Sequence, residues 1–446
     1  MITNHGVHEW KIVPGLRDTG GQNVFVNQFS EALARQGFRV TTVNRGGYRH
    51  PVHERWQRGH SYKDQHQRIY YLEDDRKEFV RKEDMHEQVP HLAGALSRYV
   101  SAEAVPIDVI ISHYWDAAAI GILFNRSREN KVRHYWVPHS LGALKKRNLS
   151  FPLQKQLRID ERIAAEKKFI DKLDGIAATS SRIQRSLVED YGYSGPELFL
   201  PPCVDTDRYH PRALGSSAAI WRFLSEQSGL AEQEIQNSVI ITEISRTDST
   251  KGKDILIRAF AEVQRRYPQT VLIVSIDENQ IELAAELNQL IRECPARKRI
   301  ITVGSIWDQL PDLYAVTAIY CTPSRQEGFG MSAQEASATA VPVIASDRVP
   351  FVDEYLLGED VKALQHGKED DHVVRVGQGA IQVPVDEVAG FSYALGMLLS
   401  DETARKAMGE RAYALTIPAF TWENAVRRFL QATGIPRETQ ETVRDE

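Results

Sequence analysis

The stretch "AIYCTPSRQEGFGMSAQEASATAVPVIAS", residues 318–346, decides how the rest of the chain is read. It opens on an apolar run, breaks at Pro323, turns through Gly328-Phe329-Gly330, continues as a helix and closes on a second apolar run. Strand, loop, helix and strand at this spacing make a parallel βαβ unit, because two parallel strands need a crossover between them. The loop and helix carry two carboxylates, Glu327 before the glycine turn and Glu335 two helical turns later. The fold therefore puts one acid at a strand end and a second inside the helix that follows.

The same alternation extends in both directions. Strand candidates are "RVTTV" (39–43), "DVIISH" (108–113), "ELFLP" (197–201), "SVIIT" (238–242), "TVLIVS" (270–275) and "RIITVG" (299–304). Between them lie amphipathic segments such as "VFVNQFSEALARQGF" (24–38), where Val26, Phe29 and Leu33 recur at helical spacing and Gly37 suits a C-cap. This is an α/β chain with parallel sheets covered on both faces. The series begins twice, once near the start and again at Ser238, which predicts two Rossmann-like, doubly wound domains. Their expected bounds are 1–202 and 203–415, followed by a closing segment at 416–446. Ligands of such sheets bind at the carboxyl ends of strands, so the expected site is a cleft between two facing domains. "MITNHG" reads as the end of a strand and its loop, with part of that strand expected upstream of Met1. The polar segment 357–376 is expected to be an exposed loop.

Composition narrows the class. With 42% hydrophobic and 26% charged residues, the 446-residue chain has an ordinary globular balance, and its length suits two domains or three. A formal net charge of −5 argues against a general nucleic-acid binder. Cys203, Cys294 and Cys321 are scattered, as in a cytoplasmic protein with free thiols. No uncharged run reaches the ~18–20 residues of a membrane span, and the start lacks a signal peptide's apolar core. A soluble cytoplasmic protein is expected.

Several stretches carry chemistry. "DTGGQNVFVNQF" sets Gly20 and Gly21 directly before a helix, where backbone N–H groups favour an anion. Alone, such a turn is more often structural, and it is not the dinucleotide fingerprint. In "SRTDSTKGKDILIRAF", Arg246 and Lys251 sit five apart on a strand-to-helix connection, a spacing that lets two cations converge on a diphosphate. Two solvated surface cations are the plain alternative. At the opening stretch, the amides of Phe329, Gly330 and Met331 start a helix, Glu327 suits substrate hydroxyls and Glu335 suits ribose hydroxyls. An acid–base pair flanking one glycosidic bond is the competing use of these carboxylates. His113 and His139 each end a strand, a position usually filled by a structural histidine. No histidine spacing suggests a metal site.

Taken together these residues resemble the retaining glycosyltransferases of the GT-B fold, family 4. Glu327 and Glu335 match the E-x7-E element, Arg246 and Lys251 the R-x4-K element, and Gly20-Gly21 the glycine turn. "PPCVDTDRYHP" and "FTWENAVRRF" are similar to the interdomain stretch and the closing helix that returns to the first domain. "DTGGQNVFV", "FVRKEDM", "SHYWDA", "PHSLGALKKR" and "RIAAE" resemble the sucrose-phosphate and mannosylfructose-phosphate synthase branch. Ser245 and Cys203 stand where the family usually has glycine, and "EGFG" replaces that branch's "EPFG".

The resemblance implies a GT-B fold and transfer of a hexosyl group, with retention, from a nucleotide sugar to a sugar phosphate. UDP-glucose and fructose 6-phosphate are the favoured pair; a GDP-mannose-dependent transferase and a nucleotide-sugar epimerase of the same fold are the alternatives. It implies that Arg246 and Lys251 hold the donor diphosphate, Glu335 its ribose, and Glu327 with the 329–331 amides its sugar, beside Gly20 and Gly21. His139 would touch the sugar near the anomeric centre. Lys82, Lys146 and Arg162, beside Gly21, Gln22 and His113, would hold the acceptor and its phosphate. No cofactor and no essential metal are implied, since the nucleotide sugar is a substrate. A non-enzymatic sugar-nucleotide sensor would bind without turnover, which the intact Arg246, Lys251, Glu327 and Glu335 argue against.

Overall fold

The computed structural model describes residues 1–13, 16, 18–104, 106–147, 149–304, 306–366 and 373–436. The chain divides into two compact units, Met1–Pro202 with Trp422–Glu446, and Cys203–Thr421. The chain crosses back into the first unit at Trp422, later than the expected bound at 416. Among the described residues, no helix is long and apolar enough to cross a membrane.

In the first unit, Gly59–Tyr62, Gln67–Leu72 and Val40–Arg45 form one row of strands. Val109–His113, Arg133–Val137, Gly175–Ala178 and Glu197–Phe199 form another. Ile2 joins the rows, bridging Val43 on one side and Ser112 on the other in parallel fashion. The first residues of the chain thus take the central slot of the sheet. Pairing is parallel throughout except at the edge strand Gly59–Tyr62. The helix Gly21–Ala34 buries Val26, Phe29 and Leu33, the stripe read from the sequence, and Phe25 beside them. Against it lies the helix Trp422–Thr433: the rings of Phe29 and Phe429 are 5.7 Å apart, and Trp422 Nε1 donates to Gln28 Oε1 at 3.0 Å.

The second unit holds eight strands in the order Ile300–Val303, Thr270–Ser275, Val239–Glu243, Ile319–Thr322, Val343–Ser346, Ala380–Val383, Val373–Val376 and Lys362–Gln365. The first six are parallel and the last two antiparallel. Strand order reverses between Val239–Glu243 and Ile319–Thr322, the switch point at whose carboxyl edge ligands of such sheets bind. The segment 357–376 is not simply an exposed loop. Lys362–Gln365 pairs with Val373–Val376 at the sheet edge, while 367–372 lie outside the described residues. Its polar composition hid an edge pair, because an outermost strand faces water along much of its length.

Candidate active site

At the switch point of the second unit, the loop after Val239–Glu243 carries Arg246 and Lys251, and the loop after Ile319–Thr322 carries Glu327. Lys251 Nζ donates to Glu327 Oε1 at 2.5 Å, and Ser324 Oγ donates to the same oxygen at 3.3 Å. Both members of this pair are largely buried. Arg246 points the other way, 83% exposed and 3.6 Å from Asp248.

The two loops are stitched together by Arg325, which donates to Asp254, Asp386 and the Ser249 carbonyl. Its own N–H donates to the Thr250 carbonyl at 2.6 Å. Gly252 makes this approach possible. It has φ +65°, and a Cβ there would stand 2.3 Å from the Pro323 carbonyl oxygen.

The helix that follows Glu327 is Met331–Ala338, with Gly330 as its N-cap at φ 110°. A Cβ at Gly330 would press on Val349 Cγ1 at 2.6 Å, so only glycine fits. At Gly328 a Cβ would meet nothing within 4 Å. Packing does not demand glycine there, so open space is what that position keeps. Phe329 anchors the turn in an aromatic group with Phe351 and Phe420. Among the described residues, the N–H groups of Phe329, Gly330 and Met331 have no acceptor.

Glu335 does not share Glu327's surroundings. It faces Tyr314, whose hydroxyl donates at 3.3 Å, and desolvation pushes its carboxyl up to about 7. Tyr209 and Arg208, from the interdomain stretch, lie near enough to act on it electrostatically.

The carboxyl edge of the first unit gathers a second group. Tyr114, at φ 78° just after the strand Val109–His113, holds its hydroxyl where three cations meet. Lys145 Nζ donates to it at 2.9 Å, Arg162 Nη1 donates to it as well, and Lys82 lies within electrostatic reach. Burial alone would raise the phenol's pKa, but Arg162 and Lys145 together hold it below the usual value. Lys82 Nζ also donates to Asp18 Oδ1 at 2.7 Å, beside the Gly20-Gly21 turn. There Gly20 N donates to Asn23 Oδ1 at 2.9 Å and Gln22 Nε2 to Thr3 Oγ1 at 3.3 Å. Among the described residues, the N–H groups of Gly21 and Gln22 have no acceptor, as expected in a first helical turn.

Three expectations need correction. Lys146 is not in the cluster: it pairs with Asp160 at 2.7 Å on the surface, and Lys145 takes the place expected for it. Neighbouring residues on the helix Gly142–Arg147 project about 100° apart, so only one of the two lysines can face Tyr114. Arg162 is only 4% exposed and also donates to Glu166 at 2.7 Å and to the Ser140 carbonyl, so it supports the cluster from behind. His113 is fully buried, and its Nδ1 lies 3.0 Å from His139 Nε2, so it braces His139 instead of reaching a ligand.

Desolvation pulls the pKa of His139 down to about 3, so its ring is neutral. His113 Nε2 is buried without a partner, and an unmet lone pair costs less there than an unmet N–H. The favoured tautomer therefore has His113 Nδ1–H donating to His139 Nε2, which leaves a proton on His139 Nδ1.

The structure also gathers Glu9, His50 and His53, a set with metal-ligand chemistry that the sequence reading passed over. His50 Nδ1 accepts the N–H groups of Val52 and His53, both at 3.0 Å. Its proton must then sit on Nε2, facing Glu9 Oε2 at 3.5 Å, where no lone pair is left for a metal. Glu9 is further engaged by Arg55 and by Gln57 at 2.9 Å. The set anchors a loop and does not suit a cation.

Each unit of this α/β chain thus gathers cations and helix-start amides at the carboxyl edge of its sheet. Comparison with known proteins covers both halves. Residues 19–208 match the Glycosyltransferase Family 4 model and residues 230–415 the model for Glycosyl transferases group 1. The chain belongs to this family of GT-B glycosyltransferases and is a hexosyltransferase. It is 26% identical over 360 residues to mannosylfructose-phosphate synthase of Agrobacterium fabrum, covering 78% of this chain and 75% of that one. It is 27% identical over 441 residues to D-inositol 3-phosphate glycosyltransferase of Nocardia farcinica, covering 94% and 85%. In fold it is similar to sucrose-phosphate synthase from Thermosynechococcus elongatus, with a TM-score of 0.74 and 23% identity over 96% of this chain and 97% of that one.

Proposed function

We propose that this enzyme transfers a hexosyl group, with retention, from UDP-glucose to a phosphorylated acceptor such as fructose 6-phosphate. The observation that carries the reading is the meeting of Lys145 and Arg162 at the Tyr114 hydroxyl, with Lys82 within electrostatic reach of it. A phosphate dianion offers several acceptor oxygens to such donors, and each charge-assisted bond is stronger than a neutral one. Lys82, Lys145 and Tyr114 make the direct contacts, while Arg162 fixes Tyr114. The names of two relatives, a mannosylfructose-phosphate synthase and a D-inositol 3-phosphate glycosyltransferase, support a phosphorylated acceptor.

On the donor side, Arg246 and Lys251 take the diphosphate, Glu335 the ribose, and Glu327 with the 329–331 amides the hexose. The open space at Gly328 lets the sugar approach the backbone. As the bond from the anomeric carbon to the diphosphate breaks, negative charge grows on the leaving oxygen, where the two cations stabilise it. The acceptor hydroxyl attacks from the same face and passes its proton to the departing phosphate oxygen. His139 is neutral, so it serves as a hydrogen-bond donor through Nδ1 and not as an acid. The two cations and the amides do the work that a divalent metal does elsewhere, and no resident cofactor is needed.

The 26% identity to mannosylfructose-phosphate synthase favours GDP-mannose as the second reading of the donor. The deciding experiment crosses UDP-glucose, GDP-mannose and ADP-glucose with fructose 6-phosphate, free fructose and an inositol phosphate, and reads product configuration by NMR. Equal rates with phosphorylated and free acceptors would overturn the acceptor assignment. An inverted product would overturn the mechanism.

A further inference from the structure

The loop that carries Arg246 and Lys251 leaves Ser245 and re-enters a helix at Lys253, and its two ends meet at one ammonium group. Lys253 lies in the first turn of the helix Lys253–Gln264 and is 2% exposed. Its Nζ donates to Glu243 Oε2 at 2.5 Å, to Ser245 Oγ at 2.9 Å and to Ser275 Oγ at 3.1 Å, and the Ser245 carbonyl lies 3.2 Å away. Ser275 Oγ donates to the Ser245 carbonyl at 2.7 Å and accepts the Ser245 N–H at 3.0 Å. Ser245 Oγ also donates to Glu243 Oε1. Ser245 is therefore held by its N–H, its carbonyl and its hydroxyl. The carbonyl of Arg246, the next residue, also accepts from Ser245 Oγ at 3.3 Å, while its side chain extends out of this lattice.

Burying two charges is expensive, and replacing a buried ion pair with apolar packing is often neutral or stabilising, so stability is a weak reason for such a pair. Geometry is a better one. The pair sits under one end of the Arg246–Lys251 loop and is bonded to the other. A glycine at 245 would have no hydroxyl to bridge Glu243 and Lys253, whereas serine does.

The geometry points to Lys253, braced by Glu243, as a positioning residue: a clasp that ties the entry of the diphosphate loop to its exit and so sets the separation of Arg246 and Lys251. The inference rests on the donor reading above. The clasp fixes phosphate affinity and leaves recognition of the nucleoside, at Glu335, untouched.

The test measures binding of UDP against uridine, and of GDP against guanosine, to the full chain by calorimetry, alongside thermal unfolding and donor and acceptor KM. Lys253→Met alone leaves Glu243 buried without its partner, so the double variant Glu243→Gln/Lys253→Met and the milder Ser245→Gly are made beside it. The double variant is expected to unfold cooperatively and to bind the nucleoside as the wild type does. It should bind the diphosphate about ten- to a hundredfold more weakly, with donor KM raised and acceptor KM unchanged. Ser245→Gly should show the same selective loss at about threefold. Variants that keep the wild-type preference for diphosphate over nucleoside overturn the clasp, as does equal loss of both affinities. A wild-type chain without that preference overturns the donor reading, and the clasp falls with it.

Discussion

The cations of the first unit's cluster all have partners in place, whereas in the second unit's pair Lys251 is held and Arg246 lies exposed. Arg162 is sunk behind Tyr114 with its charge balanced by Glu166, and Lys145 and Lys82 hold fixed partners of their own. In the second unit, Arg246 is solvated and Lys251 is engaged by Glu327. A prearranged site gives affinity, because little ordering remains to be done on binding. A site whose cations must still converge is suited to charge that appears only as a bond breaks, since interactions gained there raise turnover. On the function proposed above, the first group holds a phosphate and the second releases one.

The comparison can be broken at five points. The largest effect expected is on folding. Arg162→Met should cost about 3–5 kcal/mol, because it leaves Glu166 buried without its partner. Urea unfolding with an unchanged m-value would register the loss, and an unshifted midpoint would mean that Arg162 is not the support described. Next, Arg246→Ala and Lys251→Ala should each lower kcat by roughly 10²–10³. The unfolding midpoint should stay put for the exposed Arg246 and fall for Lys251, whose loss leaves the largely buried Glu327 without its partner. Near-normal turnover in both variants would remove the diphosphate site.

A sharper contrast separates two adjacent lysines. Lys145→Ala should raise the KM for fructose 6-phosphate about ten- to a hundredfold and leave donor KM alone, whereas Lys146→Ala, whose side chain pairs with Asp160, should leave both within about twofold. The reverse result would restore Lys146 to the cluster. Acidity should touch the second unit first. With its pKa raised to about 7, Glu335 is ionised above that value and neutral below it, so its grip on ribose weakens as pH falls. Donor KM should rise by up to about tenfold from pH 8 to pH 6, and Glu335→Gln should flatten that profile. A profile that keeps its slope in the variant assigns the titration elsewhere. The smallest effect is none: EDTA should leave activity unchanged, and a complete loss restored by magnesium or manganese would refute metal independence.

Much of the second unit's site could be read from sequence because its parts lie in short order along the chain. Arg246 and Lys251 share one loop, and Glu327, the Gly328-Phe329-Gly330 turn and Glu335 share one βα connection, so spacing put these candidates on two connections of the second sheet. The first unit's cluster is assembled from four segments, at Lys82, Tyr114, Lys145 and Arg162, and the local pattern shows neither that Lys145 faces Tyr114 in place of Lys146 nor that the tyrosine lies at its centre. The signal for Tyr114 was its position directly after a strand end, which the histidine before it obscured. Lys253 was missed for another reason. In "TKGKD" it looks like one more exposed cation, and only the neighbouring strands at Glu243 and Ser275 show that it is buried.

By itself the sequence determined the alternation of strand and helix, the second start near Ser238, and the loops on which the motif residues stand. These follow from local periodicity and from glycines that only certain backbone angles require, and neither depends on distant partners. The tertiary structure alone decided that Lys145 and not Lys146 meets Tyr114, that His113 braces His139 from the interior, and that Lys253 reaches back to Ser245. It also decided that Ile2 completes the first sheet and that the polar 357–376 stretch contributes its paired strands to the edge of the second. The physical reason is common to all of these. A residue's chemistry is set by its own side chain, but its facing, burial and charge partner are set by elements remote in sequence, which the local pattern does not encode.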